Sequence, residues 1–291
     1  MLYHIFTDAS ADLDPAFAAR EDIRVIPMVY TVGDMTRTYA GVAKDGELEE
    51  YYDGQRKLLP SGTTQINPQN YVDAFRLYCE KGEAILYLSL SGGLSSTYQS
   101  SLMGVQELLE EFPDAKIRCV DSRSATIGIG VLAEAAAANR AAGMSLDENG
   151  DWLEDNRLRL RHWFMVEDLG FLKRGGRISP ATAVVGAALN IKPILRILPD
   201  GTLQSFAKKR GPRAAMDQLV SFYRETGIHE PGERVSVVHA DNPEAARYLT
   251  EQVLAVNPQA VVTQTLLTPI IGCHVGPGMC AIVNWSSGER D

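Results

Sequence analysis

Short apolar runs alternate with amphipathic stretches of helix length through the first half of the chain. Residues 3–7, 24–31, 84–90 and 116–120 read as strands, with β-branched and aliphatic side chains in period-two or continuous apolar runs. Residues 12–20, 97–111 and 127–142 read as helices, the last rich in alanine. Asn67 before Pro68 predicts a helix from there to about residue 81, because Asn suits the cap and Pro the first helical position. Residues 33–59 read as polar and irregular with an acidic helical piece at 47–57, and residues 60–65 as a loop. Strands that are apolar throughout and alternate with helices predict a parallel sheet covered by helices.

The character changes after Gly143. Residues 146–156 read as a helix or linker, 160–166 as a strand and 168–174 as a short helix ending at Gly175-Gly176. Residues 180–189, P-A-T-A-V-V-G-A-A-L, read as a buried helix whose small side chains allow either tight packing or a channel. Pro199-Asp200-Gly201 predicts a hairpin between 192–198 and 203–208. A helix at 212–226, a strand at 234–239, a helix at 243–255 and strands at 260–267 and 279–284 follow. The expected organisation is an N-terminal parallel-sheet domain over 1–150 and a C-terminal α/β domain over 151–291.

In open parallel sheets, ligands bind outside the carboxyl ends of the strands. Asp8, Ser10, the 91–97 turn and Asp121-Ser122 all follow strands and should gather on one edge. The richest of these segments is S-L-S-G-G-L-S-S-T-Y-Q-S at 89–100, a hydroxyl-laden turn that opens a helix. The first N–H groups of a helix have no intrahelical partner and carry the positive end of its dipole, so such a turn suits an anion. An ordinary N-cap explains the same residues. His274 stands beside the tight bend Gly276-Pro277-Gly278, facing a cleft or satisfied within the structure. Lys173, Arg174, Arg177, Lys192 and Lys208-Lys209-Arg210 form basic islands that suit a solvated face, phosphate recognition or docking to an acidic partner.

Bulk composition narrows the classes. The chain has 291 residues, 45% of them hydrophobic, and a formal net charge of −9. That balance argues against broad nucleic-acid binding. No apolar stretch is long enough to span a bilayer, and the N-terminus carries no secretory pattern. Cys79, Cys119, Cys273 and Cys280 fit neither a disulfide framework nor a paired metal motif, so a reduced cytoplasmic protein is expected, with no metal and no cofactor. No P-loop occurs, and the turn around Ser95 lacks the second glycine of a G-x-S-x-G elbow. The G-x-G-x-x-A at 128–133 falls inside a helical run rather than directly after a strand.

These pieces occur together, in order, in one known pattern. T-D-A-S at 7–10, T-T-Q at 63–65, L-S-S-T-Y-Q-S at 94–100, V-D-S at 120–122, G-x-G at 128–130, L-K-R-G-G-R-I-S at 172–179, I-K-P-I-L at 191–195 and H-x-G-P-G at 274–278 make the chain resemble the DegV family of bacterial fatty-acid-binding proteins, nearly end to end. The family includes the fatty-acid-binding subunit of fatty acid kinase. The resemblance implies a two-domain α/β fold with a long-chain fatty acid held between the domains. It implies that Thr63, Ser95 and His274 hold the carboxyl group, with Thr64, Ser96 and Gly93 in support. It also implies that Arg177 and Arg210 engage a separate ATP-dependent kinase, which phosphorylates the carboxylate, and that this chain itself is not an enzyme. Two motifs depart from the family pattern: Thr64 stands in place of a serine in the first, and in the second Ser96 stands in place of a glycine beside the head-group serine and Gly92 in place of a serine. A small acyl hydrolase or transferase using Ser95 with His274 is the alternative, and a dihydroxyacetone-type binding module a third.

Overall fold

The computed structural model describes residues 3–167, 169–178 and 190–291. The chain forms two compact units. One contains the residues up to Tyr30, Thr36–Ala43 and Thr63–Arg157; the other contains Thr31–Met35, Lys44–Gly62 and Leu158–Asp291.

The first unit is built on a parallel sheet of order β2-β1-β6-β7, with β1 at Tyr3–Asp8, β2 at Ile23–Ile26, β6 at Ala84–Ser89 and β7 at Ile117–Asp121. Every residue of β6 is buried, as its unbroken apolar run requires. Helices α1 (Pro15–Arg20), α3 (Pro68–Glu80), α4 (Thr97–Glu111), α5 (Ile127–Ala141) and α6 (Leu146–Asn156) follow in chain order, so the segment at 146–156 is a helix. Asn67 caps α3 in a reciprocal box with Asn70. At Gly104 a β-carbon would stand 2.6 Å from the Pro68 carbonyl oxygen, so α3 and α4 pack closer than any side chain there would permit.

Three expectations change between residues 24 and 65. The strand expected at 24–31 is two strands, β2 and β3 (Met28–Val32), separated by Pro27, which has no N–H to give a ladder. The stretch expected to be irregular contains β4 (Met35–Tyr39) ahead of the helical piece expected at 47–57, which forms as α2 (Glu47–Arg56), and the expected loop at 60–65 contains β5 (Ser61–Thr64). β4, β3 and β5 form a small sheet in that order. β4 and β5 are short and polar; β4 pairs with β3 across the Gly33-Asp34 turn, whereas β5 reaches the same strand from far along the chain.

The second unit carries a mixed sheet of order β10-β9-β8-β13-β11-β12. Its strands are β8 (Leu160–Met165), β9 (Ile191–Ile197), β10 (Leu203–Arg210), β11 (Arg234–His239), β12 (Val261–Leu266) and β13 (Cys280–Trp285). Only the β11–β12 pair among the described strands of this sheet is parallel. The β9–β10 hairpin closes as its turn chemistry predicts, with Gly201 at φ +83° and the Leu198 N–H donating to the Thr202 carbonyl at 2.9 Å. Helices α8 (Pro212–Thr226) and α9 (Pro243–Val256) bury Leu219, Tyr223 and Leu249 against Trp163, Val237 and Ile282 of the sheet. The second unit also carries the short helices α7 (Gly170–Arg174) and α10 (Pro269–Val275). The expected helix at 180–189 lies outside the described residues, as does Ser179. All four cysteines are buried thiols. Among the described residues no helix is long and apolar enough to cross a membrane.

Candidate functional site

The carboxyl ends of β1, β6 and β7 meet in one hydrogen-bonded layer of the first unit. Asp8, fully buried at the end of β1, accepts from the Tyr87 hydroxyl at 2.9 Å and from the Leu90 N–H at 3.0 Å. It also accepts from both the N–H and the hydroxyl of Ser10. The Tyr87 hydroxyl lies 2.8 Å from that of Tyr71, which donates to the Thr97 carbonyl at 3.2 Å. Burial raises the pKa of both phenols and Asp8 raises them further, so both remain protonated hydrogen-bond donors. A buried carboxylate thus fastens the end of β6 directly and the first residue of α4 through two tyrosines.

Asp121, at the end of β7, holds the turn itself. Its Oδ1 accepts from the Gly92 N–H at 3.0 Å and from the Arg123 N–H at 2.9 Å, and its Oδ2 pairs with Arg123 Nε at 2.9 Å. Neither Gly92 nor Gly93 is left-handed. Gly92 is needed for proximity: a β-carbon there would stand 2.9 Å from Asp121 Oδ2. The Ser91 N–H donates to the Ser124 carbonyl at 2.9 Å, which ties the turn to the segment after β7.

Within this frame Ser95 is half-buried at the N-terminus of α4, and Gly93 and Ser96 are exposed. The Ser95 hydroxyl accepts from the Thr97 N–H at 3.2 Å and lies 2.8 Å from the Thr97 hydroxyl. Ser96 occupies the cap position without a side-chain cap bond, so Ser95 does the capping. With Thr97 as donor in the hydroxyl pair, the Ser95 proton is released for an acceptor outside the turn.

Thr63 and Thr64 are consecutive on β5, so their side chains project to opposite faces. Thr63 is half-buried. Thr64 is exposed and lines a cavity of about 470 Å³ in the first unit, together with Ile26, Met28, Gln65, Asn70 and Ala74.

In the second unit His274 lies in the last turn of α10, a helix that sequence reading missed because seven residues beginning at a proline and ending in glycines resemble a turn. The Gly276 N–H donates to the Gly272 carbonyl at 2.9 Å, and Gly276 reverses the chain at φ +76°. A β-carbon on Gly276 would collide with the Phe171 ring, which Arg174 covers from 4.4 Å. Gly175 faces the imidazole, where a β-carbon would stand 2.5 Å from Nδ1. Burial lowers the His274 pKa to about 4, and the positive Arg177 nearby adds to the shift. At neutral pH the ring is therefore uncharged and offers one N–H. Arg177 donates to the Gly175 carbonyl at 2.5 Å.

The basic islands separate. Lys192 is buried and paired with Glu167, which makes it structural. Lys208, Lys209 and Arg210 are exposed at the end of the edge strand β10.

The profile of a family described as "Uncharacterised protein, DegV family" matches residues 3–286. The chain belongs to the DegV family. A DegV domain-containing protein of Lactococcus lactis is 36% identical over 292 residues, covering all of both chains, and one of Clostridium perfringens is 35% identical over 278 residues, 96% of this chain and 95% of that protein. Among solved structures, a DegV protein of Thermus thermophilus described by its fatty acid binding is 27% identical, with a TM-score of 0.84 over 98% of this chain and 100% of that one. A DegV lipid-binding protein of Thermotoga maritima is 25% identical, with the same TM-score of 0.84 over 100% of both chains. In this DegV chain the sequence motifs mark the residues that present hydroxyl and imidazole groups. They include Asp8 and Gly175 without indicating the supporting roles these residues take, and they leave out the buried phenols Tyr71 and Tyr87.

Proposed function

We propose that this DegV chain binds a long-chain fatty acid, holds its carboxylate with Thr63, Ser95 and His274, and presents that carboxylate to a separate ATP-dependent fatty acid kinase. The observation that carries the reading is the Ser95 turn, where a half-buried hydroxyl stands at the start of a 15-residue helix with its own acceptor role filled by Thr97. A carboxylate there gains a hydroxyl donor and the positive end of the helix dipole. The neutral His274 ring supplies a further N–H, and Thr64, Ser96 and Gly93 support the head group. Fatty acid binding by the Thermus thermophilus relative supports the choice of ligand.

The energetics favour a long chain. Burying about fourteen methylenes is worth on the order of 11 kcal/mol before ordering costs. A carboxylate drawn in with that chain must find donors or the gain is lost to desolvation.

The phosphoryl step belongs to the partner: a carboxylate oxygen attacks the γ-phosphorus of ATP, an acyl phosphate forms and ADP leaves. Arg177 and Arg210 face that partner, and no catalytic residue, metal or cofactor is required of this chain. A hydrolase built on Ser95 and His274 would need a base with a pKa near the working pH. A ring titrating at about 4 is poorly suited to that task.

The test is mass spectrometry of ligand released by denaturing gently purified protein, with the kinase assay beside it. Stoichiometric fatty acid in the wild type, depleted in Ser95→Ala and His274→Ala, is the expected result. Arg210→Glu should retain lipid and lose acyl phosphate formation. Turnover of an activated ester that disappears in Ser95→Ala would replace the carrier reading with the enzyme.

A further inference from the structure

Three buried side chains of α2 fasten it to α10 and the segment that leads into it. Tyr51, Tyr52 and Gln55 are each at most 1% exposed. The Tyr52 hydroxyl donates to the Leu267 carbonyl at 2.9 Å, the Tyr51 hydroxyl to the Pro269 carbonyl at 3.4 Å, and Gln55 Nε2 to the Gly272 carbonyl at 3.2 Å. The approach is close enough that Gly272 admits no side chain: a β-carbon would stand 2.9 Å from the Tyr52 hydroxyl oxygen. On its outer side α2 is held by Arg56, which donates to the Asp241 carbonyl at 3.1 Å and pairs with the Asp241 carboxylate.

Of the three carbonyls bound, that of Gly272, the acceptor of Gln55, is the one nearest His274 in sequence. The Gly272 carbonyl that Gln55 binds also accepts from the Gly276 N–H, and His274 lies within that closing turn. A helix of seven residues has almost no stability of its own, so its last turn is as well placed as its tertiary bonds make it. The same amide reaches Ser61 Oγ at 3.3 Å, which ties the turn to the start of β5.

We propose that Gln55 is a positioning residue for the fatty-acid site: through the Gly272 carbonyl it holds the last turn of α10 and so sets where the His274 imidazole stands. The inference rests on the head-group role proposed above for His274. It assigns to α2, a segment without a ligand-facing motif, the task of keeping that imidazole against Gly175 and in a dry environment.

The experiment compares wild type, Gln55→Leu and Arg56→Ala in two measurements: imidazole resonances of His274 by NMR without ligand, and affinity for parinaric acid, an intrinsically fluorescent fatty acid. Gln55→Leu should move the His274 resonances, raise its titration midpoint from about 4 toward 6.5 and weaken parinaric acid binding. Losing one buried hydrogen bond at this point predicts about a tenfold loss of affinity. Arg56→Ala should lower the melting temperature and leave both readouts in place. Gln55→Asn, which keeps an amide but withdraws it from Gly272, should behave like Gln55→Leu and serves if the leucine variant does not fold. Unchanged His274 resonances in a folded Gln55 variant would overturn the positioning role. Failure of the wild type to bind parinaric acid would instead overturn the fatty-acid reading, and the ligand-free resonances would still decide whether Gln55 positions the ring.

Discussion

Gly175 lies so close to the His274 imidazole that a β-carbon on it would stand 2.5 Å from Nδ1. The glycine serves to leave room for a ring. Gly175→Ala should therefore rotate or displace His274 and weaken fatty acid binding about tenfold or more, with a stability loss of about 1–3 kcal/mol from overpacking. Titration calorimetry with oleate, set beside urea denaturation, checks both numbers; unchanged binding in a folded variant would remove His274 from the head-group site.

Burial leaves the His274 pKa at about 4 against an ordinary value of 6.5. As pH falls below 6.5, the unfolded chain takes up this proton first. Stability present above 6.5 is thus lost between 6.5 and about 4, a loss of about 3 kcal/mol for this group at the bottom of the window. His274→Gln should show a shallower decline of stability between pH 7 and pH 4.5 than the wild type in chemical denaturation. Parallel curves would mean the ring is not buried as described.

Asp8 accepts from Tyr87, Leu90 and Ser10 in a fully buried position. Asp8→Ala strands those donors and should cost about 3–5 kcal/mol. Amide hydrogen exchange should accelerate first in the 90–97 turn, since the Tyr87–Tyr71–Thr97 chain that anchors it begins at this carboxylate.

Gly92 has no room for a methyl group beside Asp121, whose Oδ2 would lie 2.9 Å from it. Gly92→Ala should break the Gly92–Asp121 bond, cost about 1–3 kcal/mol and lower fatty acid affinity by moving Ser95. If Ser95 takes part in binding, Ser95→Ala should weaken binding with little stability change, because its hydroxyl bonds are partly solvated. Thermal melts and parinaric acid titrations of the pair separate displacement from deletion.

Much of the architecture was legible because it is written in local chemistry. The continuous apolar run at β6, the Asn67-Pro68 cap and the Pro-Asp-Gly hairpin each produced the element expected of them. Strands β4 and β5 were not: both are polar, and β5 exists only through β3, far from it in sequence. Helix α10 was missed since a proline at its start and two glycines after its end are also the marks of a turn.

By itself the sequence determined the parallel sheet of the first unit and the ordered hydroxyl, glycine and histidine motifs that mark membership of the DegV family, since periodicity and capping act between near neighbours. Only the tertiary structure decided that Asp8 and Asp121 brace the Ser95 turn, that Gly175 makes space for His274, and that residues 44–62 join the second unit, where Gln55 meets Gly272. Those relationships depend on burial and on contacts across dozens to hundreds of residues, and no local pattern in a chain encodes which distant backbone a buried amide will find.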